Sequence, residues 1–268
     1  MLPRNWGRTG FTFAYTVILL GAFALLLDPT VVAADGILLV VSEEWPGATN
    51  ADGSGFYWAL TRSVYREEGY AVQFQILPYP RATARVLSGA ADLWLGAYPD
   101  EIPGALYPQT PFDADILSIA VRADRVPAEQ RRSGEQQAAT AALTAELLED
   151  QAVAWQEGYE LEQYLPVAVR PRPVPSREAG VAMVYRRRVA AVVDSRHELE
   201  IARAEMGFTD EQIVILPLYE IPLVPGFRND ERGLRLQEVW DRRMQALHES
   251  GALRRIYLEY GYTDFYPF

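Results

Sequence analysis

Charged and aromatic side chains stand at the ends of short apolar runs in this chain, where an α/β sheet delivers its ligand contacts. Ile37 to Ser42 runs into Glu43, Glu44 and Trp45, so Glu43 and Trp45 follow the first expected strand. Tyr57 falls in the first turn of the next expected helix, near free backbone N–H groups. Arg81 follows the second strand, and Tyr98, Asp100 and Glu101 follow the third. Gln151 to Trp155 is a strand that leads into Glu157, Gly158 and Tyr159. Strand, glycine and helix start is again a place where N–H groups can hold an anion. Ala190 to Val193 is a strand ending at Asp194, which either reaches a ligand or caps the helix Arg196 to Met206. These types suit the grip of a small polar molecule: carboxylates for an amine, arginine for an anion, aromatic faces for stacking.

Other chemistries lack their residues. His197 and His248 are the only histidines, and neither has metal-ligand spacing. There is no cysteine, no Gly-rich phosphate loop, no G-x-S-x-G and no H-E-x-x-H. The pairs Glu43–Glu44 and Asp100–Glu101 read as surface neighbours. A glycosidase needs two carboxylates facing each other across a cleft, which adjacency does not supply. Neither metal nor cofactor is expected, and the chain does not read as an enzyme. A net charge of −11 disfavours nucleic acid, whose phosphates need Lys and Arg.

The elements that must position these residues are legible from periodicity. The 268 residues suffice for one large or two small domains. Ile76 to Tyr98 reads as a strand end, a helix from Arg81 to Leu87 closed by Gly89, and a buried strand from Asp92. That is a βαβ unit, which implies a parallel sheet. Ser54 is the expected cap of a helix running to Glu68, and Ser176 of one running to Arg187. Ala138 to Glu149 is a third helix. Leu234, Val239, Trp240, Met244 and Leu247 recur at helical spacing as a core stripe. Strands are expected at Ala71–Leu77, Ile116–Arg122, Val167–Val174 and Ile213–Leu218, and a last helix at Ala252–Tyr260.

At the start, Arg4 and Arg8 precede an uncharged run from Phe11 to Leu27, and small residues follow up to Ala34. This has the form of a secretory signal; the run is long for one, so an uncleaved membrane anchor is the alternative. Residues 1–34 carry a net +1, so the remainder carries −12. An exported chain without cysteine folds without disulfides, which suits a periplasm.

The order of proline-flanked Arg81, short helix, Ser88-Gly89-x-x-Asp92 and apolar strand resembles the bacterial extracellular solute-binding proteins of family 3. The resemblance extends over about Gly36 to Gly261 by element order. It implies the type II periplasmic binding fold: two α/β lobes, each a mostly parallel sheet flanked by helices, joined by two hinge strands, here near 113–122 and 216–224. The corresponding parts here are 35–115 and 221–268 for lobe one and 116–220 for lobe two, after a signal at 1–34. The resemblance further implies a monomer that captures a small polar solute, an amino acid or an amine, and presents it to an ABC permease. A membrane sensor is the alternative reader, for an exported sensing domain without a transport role. Glu157 to Tyr159 match the family's second-lobe loop that touches ligand, and Asp194 matches its aspartate for the ligand's amino group. The family often carries a threonine and then an arginine where this chain has Tyr98, Asp100 and Glu101. That departure puts a simple α-amino acid in doubt: either Arg81 supplies the cation, or the ligand is itself cationic and Asp100 or Glu101 answers it.

Overall fold

A computed structural model describes residues 36–128, 137–263 and 265–268. The expected leader at 1–34, and the polar run from 129, lie outside the described residues. Among the described residues no helix is long and apolar enough to cross a membrane.

Two strands are apolar enough to be covered on both faces, and a third, alternating strand at the sheet edge pairs in parallel with them. β1 (Ile37–Ser42) lies between β2 (Ala71–Ile76) and β3 (Leu93–Ala97), with Val40 opposite both Phe74 and Leu93. The chain then enters β4 (Asp113–Arg122). The other half of the sheet holds β5 (Ala152–Gln156), β6 (Arg170–Val174) and β7 (Ala191–Ser195), with β5 parallel to both others. Pro171 and Pro173 are tolerated because β6 is an edge strand that pairs with β5 alone. β8 (Ile213–Phe227) is a single strand of 15 residues that takes in both the strand expected at Ile213–Leu218 and the hinge strand expected near 216–224. It runs antiparallel to β4 from Asp113↔Leu223 to Arg122↔Ile213, and its last residues pair with β3. The order is β2-β1-β3-β8-β4-β7-β5-β6. The expected boundaries at 115/116 and 220/221 fall inside β4 and β8.

Helices cover both faces. In the first half, α1 (Phe56–Tyr65) packs Trp58, Leu60 and Val64 on one face. α2 (Tyr79–Leu87) packs Tyr79, Ala82 and Val86 on the other. In the second half, Leu143 and Leu147 of α3 (Gln137–Leu148) lie opposite α4 (Arg177–Tyr185) and α5 (Arg196–Glu205). α6 (Glu231–Glu249) and α7 (Ala252–Glu259) return to α1. The buried stripe of α6 holds Leu236, Val239, Trp240, Met244 and Leu247; Leu234 points to solvent instead.

Local rules explain the boundaries. The Gly89 N–H reaches Val86 O and the Ala90 N–H reaches Arg85 O, with Gly89 at φ +76°, so the end of α2 is a Schellman turn. At α1 the cap is Gly55, not Ser54. Its φ is +116°, and a Cβ there would stand 2.4 Å from Ala48 O, so only glycine fits. Ser54 hydrogen-bonds Asp52 instead. Ser176 caps α4 as expected, accepting from Ala179 N–H. Ser195, not Asp194, caps α5, and this leaves the Asp194 carboxylate for other partners.

Candidate functional site

The carboxyl ends of β1, β3 and β7 meet at a cleft of about 590 Å³, together with the start of β4. Trp45, Tyr57, Tyr98 and Asp113 come to it from the first half of the fold. Tyr159, Arg177, Asp194 and Glu198 come from the second. Six carboxylates line it: Glu101, Asp113, Asp115, Asp194, Glu198 and Glu220. Among the described residues, Arg177 is the one arginine that faces them there.

Arg177 is the first residue of α4, directly after the Ser176 cap, and is buried. Its Nε donates to Asp194 Oδ2 at 2.8 Å and stands 3.5 Å from Glu198 Oε2. Nη1 donates to Glu43 Oε1 at 3.2 Å, and Nη2 to the Tyr159 hydroxyl at 3.0 Å. The Tyr159 hydroxyl in turn donates to Glu43 Oε2 at 2.8 Å. Burial opposes the charge on Arg177, but the surrounding carboxylates, Asp194 first, outweigh it and hold the guanidinium well above its ordinary value. Burial pushes the Asp194 carboxyl up, and Arg177 with the Ser195 N–H pulls it back. Glu43 belongs to the first half and the other members to the second, so this network ties the halves across the cleft.

A second tie is aromatic. The rings of Tyr79 and Tyr159 stack at 4.6 Å and 7°. The Tyr79 hydroxyl donates to Glu101 Oε2 at 2.6 Å and accepts from Trp94 Nε1 at 3.1 Å. Beside this stack, the Gly158 backbone meets the Pro80 ring so closely that a Cβ on Gly158 would stand 2.0 Å from Pro80 Cγ. Tyr164 adds a hydrogen bond to Pro99 O.

The opposite wall is a run of carboxylates on β4. Asp113 and Asp115 flank Ala114 and therefore share one face of the strand. The Tyr57 hydroxyl donates to Asp113 Oδ2 at 2.8 Å and the Tyr98 hydroxyl to Asp115 Oδ2 at 3.2 Å. Burial pushes Asp113 up to about 6 and Glu101 to about 7. Asp115 rises to about 7 through burial, with the charges of Asp113 and Asp194 adding to it. These values exceed the ordinary 3.8 for Asp and 4.5 for Glu, so the folded state holds more protons than the unfolded chain across that window. Stability therefore falls as pH rises through it. Paired surface carboxylates such as Glu68, lowered by its hydrogen bond to Arg242, act in the opposite sense only below about pH 4.5. The ligand-free protein is expected to melt at least ~5 °C higher at pH 5 than at pH 8, a difference of about 2 kcal/mol for a chain of this size. A scan of melting temperature against pH checks this, and a rise toward pH 8 would contradict it.

The structure brings most of the sequence candidates together. Trp45, Tyr57, Tyr98, Tyr159 and Asp194 line the cleft, and Glu43 bonds into its wall. Three candidates stand elsewhere. Arg81 is exposed on α2, because the helix begins at Tyr79 and turns Tyr79, Ala82, Thr83 and Val86 inward. Asp100 is exposed in a turn at φ +60°. Glu157 is exposed, and its backbone N–H donates to Val174 O. Glu101, read as one of a surface pair, is instead 3% exposed. The sequence reading missed Arg177, Asp113 and Asp115 as site residues.

No family model matches the chain, and no curated protein sequence matches it. Solved structures do. The ligand-binding core of GluR0 from Nostoc punctiforme, in complex with L-glutamate, is 18% identical at a TM-score of 0.59, covering 84% of this chain and 100% of that one. A histidine kinase sensor domain with similarity to periplasmic binding proteins is 16% identical at 0.62, covering 84% and 95%. An ancestral arginine-binding protein bound to arginine is 17% identical at 0.60, covering 85% and 99%. The fold is that of the type II periplasmic binding proteins.

Proposed function

We propose that this protein is an exported solute-binding protein that captures a small polar solute between two lobes. The observation that carries the reading is the cleft itself: it is walled by side chains from both halves of the sheet and lies at the carboxyl ends of their strands. Polar groups converge there among aromatic rings, which is the composition of a small-molecule site. The lobes correspond to the sheet halves on either side of β4 and β8, and these two strands form the hinge. Closure brings Arg177 and Tyr159 onto Glu43, and opening parts those contacts. The chain works in the periplasm, where its N-terminal segment sends it, and as a monomer. It hands its solute to an ABC-type permease, as the likeness to a substrate-binding protein of an amino acid ABC transporter suggests.

A second reading, a sensor domain that reports the solute to a membrane partner, is favoured by the likeness to the histidine kinase sensor. The two separate in cells. Uptake of a labelled solute that the purified protein binds is expected to fall when the gene is deleted. Unchanged uptake, with a lost transcriptional response to that solute, would favour sensing.

A further inference from the structure

The Asp194 carboxylate, which the family pattern offers to a ligand's amino group, is already taken. Arg177 holds it at 2.8 Å and is shared with Glu43, Glu198 and Tyr159. Its single positive charge faces three carboxylates, so it leaves no positive field for an anionic ligand group. Across the cleft the charge is uncompensated in the other sense. Among the described residues no arginine or histidine pairs with Asp113, Asp115 or Glu220. The two tyrosine hydroxyls that reach Asp113 and Asp115 are neutral donors. Trp45 stands beside Tyr57, ring centroids 6.2 Å apart, so the same corner offers the aromatic faces that attract cations.

We infer that the solute is a small organic cation without a carboxylate, its ammonium or guanidinium group seated against Asp113 and Asp115. The inference rests on the reading of this cleft as the solute site. A ligand carboxylate would enter a cavity of six carboxylates whose one guanidinium is engaged, and like-charge juxtaposition in a shielded site is strongly unfavourable. A cation meets the opposite situation. It replaces the missing counter-charge on β4 and leaves the Arg177 network intact. The Tyr57 hydroxyl and the Ala114 N–H hold the two oxygens of Asp113, and the Tyr98 hydroxyl holds one oxygen of Asp115; all three are neutral donors, so both carboxylates are fixed in place without a counter-charge.

The test uses matched probes that differ only in the carboxylate: agmatine against L-arginine and cadaverine against L-lysine. Isothermal titration is performed on residues 35–268 at low salt. At least one amine is expected to bind ten times or more tighter than its amino acid partner. Asp115→Asn and, separately, Asp113→Asn are expected to weaken that amine at least tenfold while both variants melt cooperatively. Equal or tighter binding of the amino acids overturns the inference and leaves the cleft as the solute site. Binding of a neutral or anionic solute with no response to either amine overturns it in the same way. Amine binding that is indifferent to both substitutions overturns the assignment to β4. No response to any solute class removes the inference together with the reading it rests on.

Discussion

Arg177→Met is expected to lower the melting temperature by roughly 10 °C. Methionine keeps the volume of the aliphatic stem but removes the charge that three carboxylates share. Breaking a buried ion pair by removing one partner costs about 3–5 kcal/mol, because the remaining charge stays buried and uncompensated. For a chain of this size each kcal/mol is worth about 2–4 °C. Adding Asp194→Asn to Arg177→Met is expected to recover part of the loss, since one stranded charge is gone. Asp194→Asn alone is expected to destabilise. A thermal-melt double-mutant cycle reads the coupling directly. Additive effects of the two substitutions would show that the pair does not act as one network.

Gly158→Val is expected to weaken solute binding at least tenfold while the ligand-free protein stays folded. The first atom of the new side chain would lie 2.0 Å from Pro80 Cγ, and the proline ring is too stiff to yield. The backbone at Gly158 also sits at φ +93°, where a β-branched residue is strained. The clash lies between the loop after β5 and the start of α2, so moving the halves apart relieves it. The closed form is then penalised relative to the open one, and affinity falls with the population of the closed form. Small-angle scattering of the variant with its solute is expected to show a larger radius of gyration than wild type under the same conditions. Equal affinity and equal size would mean that the cleft does not need this contact to close.

The fold was readable because its signals are local. The apolar runs at Ile37–Ser42 and Leu93–Ala97, the Gly89 turn and the Ser176 cap each follow from a rule of a few residues. The site was readable only where a candidate stood at a strand end, as Trp45, Tyr98 and Asp194 do. Asp113 and Asp115 lie in the hinge strand expected near 113–122, but ahead of its apolar run, which begins at Ile116, so nothing in the sequence marks them as site residues; pairing of β4 with β8 fixes both on one face of the strand. Arg81 follows a strand, which makes it a candidate, but the residue at which a helix starts decides which side faces inward, and α2 starts at Tyr79. Arg177 left one trace in the sequence: an arginine in the first turn of a helix opposes the helix dipole. Its partners at Glu43 and Asp194 lie 134 and 17 residues away, and no pattern of spacing announces them.

The most direct measurement is a thermal-shift screen of residues 35–268 against amines, polyamines, amino acids, organic acids, sugars and short peptides. A solute present at a hundred times its dissociation constant stabilises by about 2.7 kcal/mol. That corresponds to a rise of roughly 5–10 °C for a chain of this size. At least one small polar solute is expected to give such a rise, and Trp45→Ala or Asp115→Asn is expected to diminish it. A protein that melts cooperatively, yet shifts with no member of the panel, would contradict the capture of a solute in this cleft.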